Sequence, residues 1–124
     1  MEGSARYPGR APIDAYGNGG FRFAGMSHRG SILCLPSGIY AWQPGSPDEI
    51  ETAALAPVLA ERDALDLLLL GTGRRSQLPG AEVRRAFDAA GVALEAMDTG
   101  AACRTYNVLL GEGRPVGAAL LAVD

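Results

Sequence analysis

The polarity pattern of the chain changes its period near residue 45. Before that point, apolar positions alternate with polar ones or gather in short runs. Phe21 and Phe23 flank Arg22, the two-residue period of a strand with one buried face. A turn at Gly30 separates this strand from the run SILCLPSG, and Gly38 precedes IYAW. Short apolar runs divided by Gly and Pro predict hairpins or a meander over residues 13–42.

Beyond residue 45 the pattern becomes helical and then alternates with strands. SPDEIETAAL predicts a helix start, with Ser46 as cap, Pro47 in the first turn and Glu49 completing a capping box. Pro57 is expected to end or kink that helix, leaving a second short turn over APVLAERD. ALDLLLLG is a continuous apolar run closed by Gly71, as expected of a strand covered on both faces. A helix is predicted from about Pro79 to Ala90, with Val83, Phe87 and Ala90 as its apolar stripe and Gly91 as its terminator. VALEAM predicts a strand. TGAACRTYNVLLGEG predicts a helix with Ala102, Tyr106 and Leu109 on one face, and PVGAALLAV predicts a closing strand. This alternation argues for an α/β fold in three layers. A central mixed sheet carries helices packed on it, with an additional N-terminal antiparallel β region. Residues 1–12 are expected to form a flexible lead and residues 13–124 a single domain.

Composition narrows the chemistry. The 124 residues carry a net charge of −3, and all eleven basic residues are arginine. Without lysine, a Schiff base, a P-loop lysine and a lysine general base are excluded within this chain. The acidic balance argues against a non-specific nucleic-acid binder. Cys34 and Cys103 lie far apart in apolar surroundings and read as buried thiols. With the single histidine, His28, they fall short of the usual four-ligand zinc set, so no metal is expected. The N-terminus has no apolar secretory core, and no apolar run approaches the ~20 residues needed to cross a bilayer. A bacterial, cytoplasmic protein without membrane insertion is the resulting expectation.

Three segments in order carry a family resemblance: YGNGGFRFAGMSHRGSILCLPSGIYAW, LLLLGTG and MDTGAACRTYNVLLGEGRPVGAALLA. Together they resemble the Mth-type domain-of-unknown-function family of small bacterial and archaeal proteins. Complex I assembly factor 3 is the mitochondrial relative of that family. The resemblance covers residues 13–123 and implies a single three-layer α/β domain. It implies no cofactor and no defined catalytic activity, and the mitochondrial relative suggests a protein partner. No mitochondrial presequence is evident here, so the organelle does not carry over.

The residues themselves offer one place for chemistry. Gly71-Thr72-Gly73 follows the leucine strand, but Ser76 stands where a dinucleotide fingerprint needs its third glycine, and the helix waits until after Pro79. The G-K-[ST] of a Walker loop is absent. Thr99 opens a helix after another strand. If the two strands are parallel neighbours, Gly71, Thr72, Gly73, Arg74, Thr99 and Arg104 converge on one sheet rim as a binding site for a small anion or nucleotide-type ligand. The competing reading gives Gly71 and Gly73 to a strand exit and Asp98 or Thr99 to helix capping. Tyr40 and Trp42 share one strand face, which is either core or a partner surface. Asn107, mid-helix, is expected to bond a neighbouring loop. No G-x-S-x-G elbow occurs. The preferred expectation is a binding or assembly-factor-like module, leaning away from an enzyme; a ligand binder or enzyme at the Gly71–Arg74 loop is the alternative.

Overall fold

A computed structural model describes residues 5–124. Three short strands come first: β1 (Ala15–Gly17), β2 (Gly20–Phe23) and β3 (Met26–Arg29). They form an antiparallel sheet in that order. Both of its hairpins are two-residue turns with a left-handed backbone at both central positions. Asn18 and Gly19 have φ 53° and 78°, and Ala24 and Gly25 have φ 51° and 76°. That geometry matches the right-handed twist of the flanking strands.

The second sheet has five strands. β4 (Ser31–Leu35) and β5 (Gly38–Trp42) form a hairpin through Pro36 and Ser37. β6 (Leu67–Gly71), β7 (Ala93–Met97) and β8 (Val116–Leu120) complete it in the order β5-β4-β8-β6-β7. β8, β6 and β7 are parallel, while β4 is antiparallel to both β8 and β5. The sheet is therefore mixed, as the pattern predicts.

Side-chain alternation divides the interior into two cores on either side of this sheet. Leu69, Ile32, Cys34 and Ala118 face the first core, with Phe21 and Phe23 of the small sheet and Ala102, Cys103 and Tyr106 of helix α3 (Thr99–Gly111). Leu68, Leu70, Leu33 and Trp42 face the second, with Val83 and Phe87 of helix α2 (Ala81–Ala90) and Leu55 and Val58 around the short helix α1 (Ala56–Leu59). The leucine run is thus covered on both faces. At ~25 cal/mol per Å² of apolar surface, such burial on two faces is the main source of stability.

α2 ends as expected. Gly91 takes the left-handed conformation at φ 75° and ψ 23°, which a residue with a Cβ adopts at a cost. The expected helix over residues 46–56 is not formed. Pro47–Glu49 and Thr52–Leu55 are separate 3-10 turns, followed by α1 and a further 3-10 turn at Arg62–Ala64. The expected capping box of Ser46 and Glu49 is nevertheless present, and the Glu49 carboxylate accepts from the amides of Gly45 and Ser46. The physical reason lies at Pro57. It lacks the amide that a helix continuing through it would donate to residue 53, and Ile50, Leu55 and Val58 reach the second core from separate short turns instead.

The described part of residues 1–12 lies against the domain. Tyr7 bridges Ile39 at the edge of β5, Arg10 donates to the Val116 carbonyl at 2.8 Å, and Ala11 is buried. This segment covers an otherwise open strand edge. Residues 1–4 lie outside the described residues.

Candidate functional site

The chain turns back on itself at β6. α2 leads to β7 on one side of β6, and α3 then returns to β8 on the other. α2 and α3 pack on opposite faces of the sheet. The carboxyl end of β6 is consequently a switch point, where open parallel sheets place their ligand crevice. Gly71-Thr72-Gly73 occupies it, and the exit of β7 lies beside it.

Hydrogen bonds hold the two exits together. Thr72 N–H donates to the Met97 carbonyl at 2.9 Å, and Thr99 N–H donates to the Gly73 carbonyl at 2.8 Å. The Thr99 hydroxyl accepts from Gly73 N–H at 3.0 Å and donates to the Leu121 carbonyl at 2.8 Å. Leu121 N–H in turn donates to the Gly71 carbonyl at 2.9 Å. Thr99 is fully buried. Thr72 is 3% exposed, and its hydroxyl donates to the Arg75 carbonyl at 2.6 Å and accepts from Gln77 N–H at 3.0 Å. A hydroxyl has one proton to donate, and both threonines use theirs on backbone carbonyls.

The glycines fit this closure. A Cβ at Gly71 would stand 3.0 Å from the Leu120 side chain and 3.1 Å from Thr99 Cα, so the bare backbone lets α3 approach the sheet. Gly73, with φ 100°, makes the turn out of β6. Asp98 caps α3, its carboxylate accepting from Ala101 N–H at 2.9 Å. The Tyr16 hydroxyl lies over Gly100 in the same helix turn.

The structure brings Gly71, Thr72, Gly73 and Thr99 together. Arg74 stands exposed beside them, lining an open groove of about 440 Å³ with Arg75, Pro47 and the terminal segment Leu121–Asp124. Thr99 and Arg104 do not line that groove; Arg104 is exposed on α3. Trp42 is core. It is 8% exposed, packs in the second core and donates its indole N–H to the Ala54 carbonyl at 2.8 Å. Tyr40 is half-buried and shares a 2.5 Å hydrogen bond with Ser37.

Both cysteines are buried free thiols, as the apolar surroundings predict. Burial raises the pKa of each; Cys103 is pushed up to about 12, with Arg104 opposing the shift and Asp98 adding to it. Neither is a thiolate nucleophile at neutral pH. His28 is buried on β3, 6.5 Å from the Phe23 ring centre, and its Nδ1 has no hydrogen-bond partner among the described residues. Sequence reasoning missed the Tyr16–Gly100 contact, because strand pairing and α3 packing together create it.

The family model for a protein of unknown function, DUF498/DUF598, matches residues 13–121. The chain belongs to that family. An uncharacterized protein of Rhodobacter capsulatus is 45% identical over 117 residues, covering 93% of this chain and 87% of that protein. Human NADH dehydrogenase (ubiquinone) 1 alpha subcomplex assembly factor 3 is 33% identical over 109 residues. That match covers 88% of this chain and 59% of the human protein, so the chain spans well under two thirds of the assembly factor. The crystal structure of an outer membrane protein from Bartonella henselae superimposes with a TM-score of 0.93 at 50% identity, covering 96% of this chain and all of that one. A Mth938-like domain from Bordetella pertussis superimposes with a TM-score of 0.79 at 33% identity, covering 90% of this chain and 85% of that one. The fold of this DUF498/DUF598 member is thus Mth938-like, and its homologues include a complex I assembly factor. No helix among its described residues is long and apolar enough to cross a membrane.

Proposed function

We propose that this chain is a non-catalytic binding module that acts on a protein partner, in the manner of an assembly factor. The observation that carries the reading is the match to assembly factor 3, 33% identical over 109 residues and 88% of the chain. The chemistry of the rim is consistent with it. The threonine hydroxyls at the switch point are engaged in joining β6, α3 and the segment after β8, and the thiols are protonated in the core. The cytoplasm is the proposed location. The test is affinity capture of the tagged chain from its native cells with brief crosslinking. A polypeptide recovered in fixed stoichiometry is expected; recovery of the chain alone in repeated experiments contradicts the reading.

A second reading has one observation in its favour: Arg74 and Arg75 line the same open groove. In that reading the groove takes a small anion, with Gly73 and the Thr99 helix start as the rigid wall behind it. Melting shifts with a phosphate and nucleotide panel, lost on Arg74→Ala, would support it. A flat panel removes it.

A further inference from the structure

The outer face of the small sheet is open and positively charged, although the chain as a whole is acidic. Phe21 and Phe23 of β2 point into the first core, so Arg22 points the other way. Arg22 pairs with Ser27 of β3, and Gly20 pairs with Arg29. Arg22, Ser27 and Arg29 therefore share the outer face, and all three are exposed. Gly17 and Gly20 pair with each other beside them; Gly17 faces open space, while Gly20 is buried against the His28 carbonyl. Together with Ala15 these residues line a shallow cavity of about 390 Å³, with no Asp or Glu in its wall.

We propose that this face docks an extended acidic segment of a protein partner. The proposal rests on the reading of the chain as a protein-binding module and names the partner's chemistry. Register supplies the argument. Arg22 lies opposite Ser27, so Arg29 is its diagonal neighbour, and such positions are about 7–8 Å apart. In an extended peptide, side chains two residues apart share one face at roughly 6.6–6.8 Å. A segment with carboxylates at alternate positions therefore meets both guanidiniums, each able to take a carboxylate in two parallel hydrogen bonds. Ser27, directly opposite Arg22, adds a hydroxyl donor on the same face, and the open space at Gly17 leaves room for the peptide backbone. A local cationic pair on a chain of net charge −3 fits a short acidic peptide better than a long polyanion, which the rest of the surface repels.

The test uses the full chain and a synthetic peptide with Glu at alternate positions between Thr and Val, titrated at low salt and followed by amide chemical shifts. The expected result is perturbation centred on Arg22, Ser27 and Arg29. The affinity should fall about tenfold or more in the R22E/R29E variant and weaken with added salt. The R22Q/R29Q variant repeats the loss without charge reversal, and R85E/R114E leaves binding unchanged. Perturbations spread over all arginines, equal affinity for the Gln version of the peptide, or displacement by a single-stranded oligonucleotide or anionic vesicles at comparable concentration would overturn the proposal. A native partner still captured by R22E/R29E would overturn this surface while leaving the protein-binding reading intact.

Discussion

The side-chain amide of Asn107 grips the backbone of Ile13 from both sides. Its oxygen accepts from Ile13 N–H at 2.8 Å, and its nitrogen donates to the Ile13 carbonyl, also at 2.8 Å. Ile13 belongs to no strand, so this carboxamide replaces the ladder partner that a sheet would have given it. Asn107→Ala leaves a part-buried donor and acceptor unpaired and is expected to lower stability by ~1–3 kcal/mol in urea unfolding. Hydrogen exchange should show the amides of residues 6–13 losing protection first, because Asn107 ties that segment to α3.

Thr99 joins three elements through one hydroxyl. Thr99→Val keeps the volume but removes the acceptor for Gly73 N–H and the donor to the Leu121 carbonyl. A loss of ~1–3 kcal/mol is expected by chemical denaturation, since buried polar groups are orphaned. Amide exchange at Gly73 should accelerate more than at Leu69, which keeps its place in the middle of β6.

Ala24 is strained. At φ 51° its Cβ sits in the left-handed region, which costs an ordinary residue ~1–2 kcal/mol. Ala24→Gly relieves the strain at the expense of some unfolded-state entropy. The expected outcome is a gain of ~0.5–1 kcal/mol, seen as a higher urea midpoint with an unchanged slope.

His28 gives the fold a pH dependence of known sign. Burial lowers its pKa below the ordinary histidine value of 6.5; contact with the Ser31 backbone opposes this, and the positive charge of Arg6 adds to it. The unfolded chain then binds a proton that the folded chain does not. The neutral imidazole's contribution is complete above pH 6.5 and is lost as pH falls from there toward the folded-state value. Subtracting the stability curve of His28→Gln from that of the wild type should leave a difference that declines through this window. A flat difference contradicts the assignment.

Elements whose signals are local were legible in the sequence. The leucine run of β6 reads as buried on both faces, Gly91 as a left-handed terminator, and Asp98 as a cap, and each is so in the structure. Asn107 was expected to bond a neighbouring segment because its helix propensity is poor, and Ile13 is the partner. The segment 46–59 was not legible. Its capping residues favour a helix, but the depth at which Ile50 and Leu55 must sit is set by Trp42 and the sheet. For the candidate site, the sequence placed Gly71, Thr72, Gly73 and Thr99 on one rim, which they share. It had no means of showing that the carbonyls of Leu121 and Arg75 take up both threonine protons. The diagonal relation of Arg22 and Arg29 exists only once β2 and β3 are paired in register.

The central claim is that this family member works by holding a protein. Native mass spectrometry of the tagged chain, isolated gently at its natural abundance, tests it most directly. The predicted spectrum shows the chain together with a second polypeptide in a fixed ratio, dissociating as salt is raised. A spectrum containing only the chain, bare or carrying a small-molecule adduct, would contradict the account.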